Sequence, residues 1–145
     1  MLDTDLAYLA GLIDGEGTIT IGRITRPGLR YQAKLLLVNT DLHLVEHAQT
    51  VTGVGIIYRS KADQTGVIPA NWNPVHRWQV VARQACAAIQ LVRPYLVAKA
   101  DLADLVLSMP TRSKGRGPND AAILIEQARI FELVRDLNRR GRHGS

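Results

Sequence analysis

Cysteine is almost missing. Cys86 is the only one in 145 residues, so no disulfide closes within the chain and no multi-cysteine zinc site forms. Aromatic residues make up only 5%, with a single Phe. No apolar run approaches the ~20 residues that cross a bilayer, which excludes a helical membrane span. The opening stretch MLDTDLAYLAG is acidic where a secretory leader would be basic, so an intracellular, cytoplasmic protein without membrane partners is expected. Lysine is scarce too, four against fourteen arginines, a bias that suits a GC-rich bacterial or phage genome. What remains is 46% hydrophobic and 21% charged, a composition that folds and needs no staples at this length.

The charge is unevenly spread. Eighteen Lys and Arg stand against thirteen Asp and Glu, for a net +5. Residues 18–40 carry Arg23, Arg26, Arg30 and Lys34 with no acid, and residues 54–83 carry Arg59, Lys61, Arg77 and Arg83 against Asp63 alone. Such a balance suits a polyanionic partner, although a solvated surface would carry it as well.

The pattern predicts a helix over 3–13, capped by Asp3 or Thr4 and broken by Gly15 and Gly17. Strands over 18–26 and 30–39 flank the turn Pro27-Gly28. A helix over 41–52 ends at Gly53-Val54-Gly55, and strands follow over about 56–61 and 75–82, separated by a polar loop. Pro94 and Pro110 close helices over 83–92 and 96–108. A single domain over 1–145 is expected, with a core over about 3–109, a basic loop over 110–118 and a last helix over about 119–139 that ends in a frayed basic tail. Ile123, Ile130, Leu133, Val134 and Leu137 form the apolar stripe of that helix. The order αββαββ followed by helices defines an α+β class with an antiparallel sheet.

Residues 9–17 read Leu-Ala-Gly-Leu-Ile-Asp-Gly-Glu-Gly. This closely resembles the LAGLIDADG motif that names a family of homing endonucleases, with seven of nine positions identical and Glu16 in place of the motif's second Asp. The order of helix, basic hairpin, helix, second hairpin and Pro94-Tyr95-Leu96…Lys99 extends the resemblance over roughly residues 5–109. It implies the αββαββα fold of that family, a saddle-shaped antiparallel sheet with helices on one face.

The residues give the motif a physical sense. Ala7, Gly11 and Gly15 recur every four positions, with Ala10 and Asp14 flanking, so one helix face is small enough for two helices to meet backbone to backbone. Pairing two copies would bring two Glu16 carboxylates to one spot, a repulsive arrangement unless divalent cations lie between them. Mg²⁺ suits carboxylate, carbonyl and water ligands, with Mn²⁺ or Ca²⁺ as substitutes; the family counterpart of Gly15 offers its carbonyl. Asp14 has mainly a structural role in the family. A single motif implies a homodimer.

The resemblance also implies an active-site Lys at Lys99. Some family members carry Gln-Lys at the end of the second strand; here Asn39, Thr40 and Asp41 stand there, and Asn39 is the candidate for positioning water. The sheet is the expected DNA reader. Thr18, Thr20 and Arg26 share one face of the first strand, Arg30, Gln32 and Lys34 one face of the second, and Arg77 and Gln79 one face of the fourth. Tyr58 and Arg59 point oppositely, and alternation alone leaves open which meets a groove; Tyr58 is the candidate. Leu35–Val38 is apolar on both faces and is expected to be buried. Two protomers would cover ~20 base pairs of near-palindromic duplex DNA. The implied activity is metal-dependent, site-specific double-strand cleavage in the homing of a mobile intron. The alternatives are an RNA maturase that assists intron splicing and a catalytically silent DNA-binding protein of the same fold.

Overall fold

The computed structural model describes residues 2–59, 74–111 and 120–143. Helix α1 spans Asp3–Glu16, with Asp3 and Asp5 in its first turn, where acids favour the helix dipole. It runs three residues past the predicted end. Gly15 lies inside it, and Glu16 is its last residue instead of standing just beyond. The reason is burial: Leu9, Ala10 and Ile13 are fully enclosed, and the Gly17 N–H closes the last turn on the Ile13 carbonyl. Gly17 must be glycine because a Cβ there would come within 2.7 Å of the Ile13 backbone.

Strand β1 (Gly17–Ile24) leaves that turn directly and pairs with β2 (Arg30–Asn39). Helix α2 (Leu42–Thr52) is capped by the Asp41 side chain, which accepts from the His43 N–H at 2.9 Å, and it ends on Gly53 at φ 72°. Strand β3 (Ile56–Arg59) and strand β4 (His76–Val81) complete the sheet. The sheet is antiparallel throughout, in the order β1-β2-β4-β3. The predicted loop beyond Arg59 lies outside the described residues. Helix α3 (Ala82–Val92), a 3₁₀ turn at Arg93–Tyr95 and helix α4 (Ala100–Leu107) follow. The predicted 96–108 helix is therefore shorter at its start, because Leu96 is extended after the Pro94 turn.

Helix α5 spans Asp120–His143, so the segment expected to fray is helical as far as His143. Its inner stripe is Gln127, Ile130 and Val134, whereas Leu133 and Leu137 are more than a third exposed. Gln127 Nε2 donates to the Pro110 carbonyl at 2.8 Å, and Asn138 Nδ2 to the Ile19 carbonyl at 3.1 Å, so polar side chains hold the stripe as well as apolar ones. Most of the basic loop, residues 112–119, lies outside the described residues.

All helices lie on one side of the sheet. Ile19, Ile21, Ala33, Leu35, Leu37, Trp78 and Val80 point into them and are buried, as strict alternation requires. Trp78 is wholly enclosed, and its Nε1 donates to the Val54 carbonyl at 3.0 Å. Gly55, at φ 97°, lies so close that any Cβ would run into the indole. The other side of the sheet carries no helix among the described residues.

Candidate active site and nucleic-acid interface

The C-terminal end of α1 gathers the residues with chemical potential. Glu16 is exposed there, and its Oε2 accepts from Asn39 Nδ2 at 2.5 Å. The Asn39 amide is itself fixed, because its Oδ1 accepts from the Asp41 N–H at 2.8 Å. The β2 end therefore orients the carboxylate of Glu16, and the sequence-predicted pair Glu16 and Asn39 does come together. The sequence places Asp41 between the second strand and the following helix, but not its backbone contact with Asn39. Its Asn-x-Asp spacing just before a helix is a turn signal that could have found it.

On the other side, the Asp14 carboxylate accepts from two backbone N–H groups, Val97 at 2.8 Å and Lys99 at 2.9 Å. Lys99 Nζ donates to the Asp14 carbonyl at 2.8 Å, which sets its ammonium on the last turn of α1, the turn that carries Glu16. Asp14 thus serves the chain's own fold, each of its carboxylate oxygens holding one backbone N–H. Ala10 is a correction. It is fully buried in the core, because it lies on the same side of α1 as Leu9 and Ile13, and it cannot line an exposed interface. The outward face consists of Ala7, Tyr8, Gly11 and Gly15, and a Cβ at Gly11 or Gly15 would meet nothing within 4 Å.

A cation would find a suitable setting at this end. Helix C-termini carry partial negative charge, Glu16 adds a full one, and among the described residues only one of its oxygens is engaged. No group of three or more His, Cys, Asp or Glu among the described residues could hold a metal. Carboxylate and carbonyl oxygens are the kind of donor that a hard divalent ion takes.

The open sheet face carries the remaining candidates in register. Thr20 pairs with Lys34, Lys34 with Val81, Leu36 with Gln79, and Val38 with Arg77. Ile56 pairs with Gln79 and Tyr58 with Arg77, which puts Tyr58 on this face and Arg59 on the other. Thr18, Thr20, Arg30, Gln32, Lys34, Tyr58, Arg77 and Gln79 therefore share one surface. The Lys34 stem lies across Gly22, where a Cβ would come within 2.9 Å of it. Arg26 sits past the last ladder pair, exposed in the turn. Arg23 belongs to the helix side, 5.4 Å over the Phe131 ring. The expected burial of Leu35–Val38 holds only for Leu35 and Leu37. Leu36 is half-buried and Val38 is 38% exposed on the open face, as the alternation that placed Arg30, Gln32 and Lys34 there already implied.

A helix end with an oriented carboxylate and a lysine thus stands above an open sheet face studded with Arg, Lys and Gln, in an α+β fold. A family model described as LAGLIDADG endonuclease matches residues 9–73. Among solved structures, the homing endonuclease I-CvuI in complex with its target in the presence of Ca is 21% identical, with a TM-score of 0.72 over 92% of this chain and 82% of that one. The archaeal intron-encoded homing endonuclease I-Vdi141I complexed with DNA is 12% identical, with a TM-score of 0.66 over 93% and 84%. The homing endonuclease I-TnaI is 14% identical, with a TM-score of 0.61 over 93% and 96%. No curated protein matches the chain. The family model covers the motif helix and the first three strands, and the solved structures share the fold, so the chain is similar to the LAGLIDADG endonucleases in motif and in architecture.

Proposed function

We propose that the protein is a homodimeric, site-specific homing endonuclease, a single domain over 1–145 that makes double-strand cuts in a near-palindromic target of ~20 base pairs. The observation that carries this reading is the exposed, Asn39-oriented Glu16 at the end of a helix whose outward face is small and open. A second copy of α1 packed on Ala7, Gly11 and Gly15 would bring two Glu16 carboxylates together. Val97, 84% exposed and hydrogen-bonded to Asp14, would extend the apolar contact area beside that face.

Glu16 and the Gly15 carbonyl would hold Mg²⁺, with Mn²⁺ or Ca²⁺ able to occupy the same donors. Bound there, the ion supplies Lewis-acid stabilisation of phosphate charge and a more acidic water. The chain's own residues do the rest. Asn39 keeps the carboxylate aimed at the helix end, and Lys99 presents a positive charge beside the phosphate being cut. The Arg, Lys and Gln residues of the open face hold the duplex in register. The crystal structures of I-CvuI in the presence of Ca and of Mg support this choice of cation class.

The test is Glu16→Gln. It keeps the size of the side chain and removes the charge, so cleavage of a selected duplex in Mg²⁺ should fall to background while affinity for the duplex remains. Cleavage near the wild-type rate would overturn the metal assignment. Binding to folded intron RNA with no affinity for duplex DNA would favour a maturase, and duplex binding with no wild-type cleavage would favour a silent DNA-binding protein.

A further inference from the structure

The open sheet face is not uniform. Its distal part carries Arg30, Gln32 and Lys34. The part nearest the start of β1, and so nearest Glu16, interleaves polar and aliphatic residues across the strands. Gln79 has Leu36 on one side and Ile56 on the other, and Arg77 lies between Val38 and Tyr58. Ile56 is 59% exposed and Val38 38%, so both face water in the free chain.

These aliphatics do not serve the core, which lies on the opposite side of the sheet. A branched aliphatic on an open strand face loses hydrophobic stabilisation that a polar residue would not seek. An occupant is needed that presents small apolar groups among hydrogen-bonding ones at the scale of a strand. In the major groove of duplex DNA the one apolar base-edge group is the C5-methyl of thymine, beside the acceptors and donors that Gln and Arg address. We propose, on the basis of the DNA-cleaving function above, that Leu36, Val38 and Ile56 form a thymine-methyl reader for the base pairs closest to the cut. The alternation then has a sense. Gln79 between Leu36 and Ile56 suits an A·T pair, with the amide on adenine and a methyl against a flanking aliphatic. The distal Arg30, Gln32 and Lys34 address polar edges and phosphates.

Deoxyuridine removes only the methyl from thymine, so it isolates this contact. Duplexes would be selected by the full-length protein from a randomised library in Ca²⁺. Each thymine would then be replaced in turn by deoxyuridine and the affinity measured. Substitution at centre-proximal thymines should weaken binding about fourfold per half-site, the value of one buried methyl-sized group. Distal substitution should change little. The triple variant Leu36→Ser, Val38→Ser, Ile56→Ser removes all three apolar side chains from the open face, so it should bind thymine and deoxyuridine duplexes alike. A wild-type protein that binds the two duplexes equally would overturn the proposal while leaving the endonuclease reading intact, and so would a folded triple variant that still discriminates between them. If no duplex is enriched or bound at all, the endonuclease reading itself fails, and this inference fails with it.

Discussion

Helix α1 has two faces built to opposite specifications. The inner face, Leu9, Ala10 and Ile13, is sealed at 0% exposure and packs against the sheet and its companion helices. The outer face, Ala7, Tyr8, Gly11 and Gly15, touches so little that two of its positions would accept a Cβ without contact. One face is what the chain needs in order to fold. The other is costly to folding, since glycine inside a helix is unfavourable by about 0.5–1 kcal/mol relative to alanine. Nothing within the described chain makes use of those glycines. The difference separates what folding requires from what the proposed function would require, within one helix.

The contrast can be broken from either side. Ile13→Ala should cost about 2–5 kcal/mol, because it opens a cavity in a sealed site, and denaturant unfolding would show it as a lower midpoint. Gly11→Leu should spare the midpoint or raise it, yet abolish self-association in sedimentation. If it lowered the midpoint as much as Ile13→Ala, the two faces would not differ as described.

The end where the faces meet sharpens the comparison. Asn39→Leu keeps the side-chain bulk but loses the donor to Glu16, and an orienting partner of this kind typically matters 10–100-fold. Single-turnover cleavage should fall by that factor with target affinity preserved. Gly17→Ala would press on the Ile13 backbone and should cost about 1–3 kcal/mol, a steric penalty expressed in stability.

The smallest effect lies away from α1. Arg93 grips Asp104 through two hydrogen bonds, at 2.6 and 2.8 Å, and the guanidinium holds the Asp104 carboxyl below its ordinary range. A carboxyl depressed by folding contributes stability above its unfolded pKa and loses it as the pH falls through the folded value. Asp104→Asn should therefore flatten the acid side of the stability profile slightly and leave neutral-pH cleavage alone. The pair is exposed, and solvent screens it.

Much of this was legible in the residues. The order of elements, the sides of β2 and β4, and the nearness of Glu16 to the end of the first helix follow from period-two alternation, turn residues and the motif. Three things were not. The end of α1 was set three residues early, because Gly15 reads as a breaker until the burial of Ile13 is known. Ala10 was put on the outer face because small residues all look alike in a small-residue stripe, and only packing shows which are enclosed. Val38 and Leu36 were taken into the core because a run of aliphatics outweighs alternation on paper, whereas in the sheet alternation wins. The brace on Asn39 also depends on the turn between β2 and α2, where a backbone N–H and a side-chain oxygen meet two residues apart.

The contacts of Asp14 set a timetable for synthesis. Its carboxylate closes on the N–H groups of residues 97 and 99, and Lys99 returns the grip on its carbonyl, across 83 to 85 positions of chain. At roughly 5–20 residues per second, a ribosome needs on the order of ten seconds to make that stretch. During that interval the nascent chain already displays its motif helix, including the carboxylate of Glu16, but not the lysine or the turn that hold the helix end in place. The helix end that carries Glu16 is thus present early as sequence and late as structure.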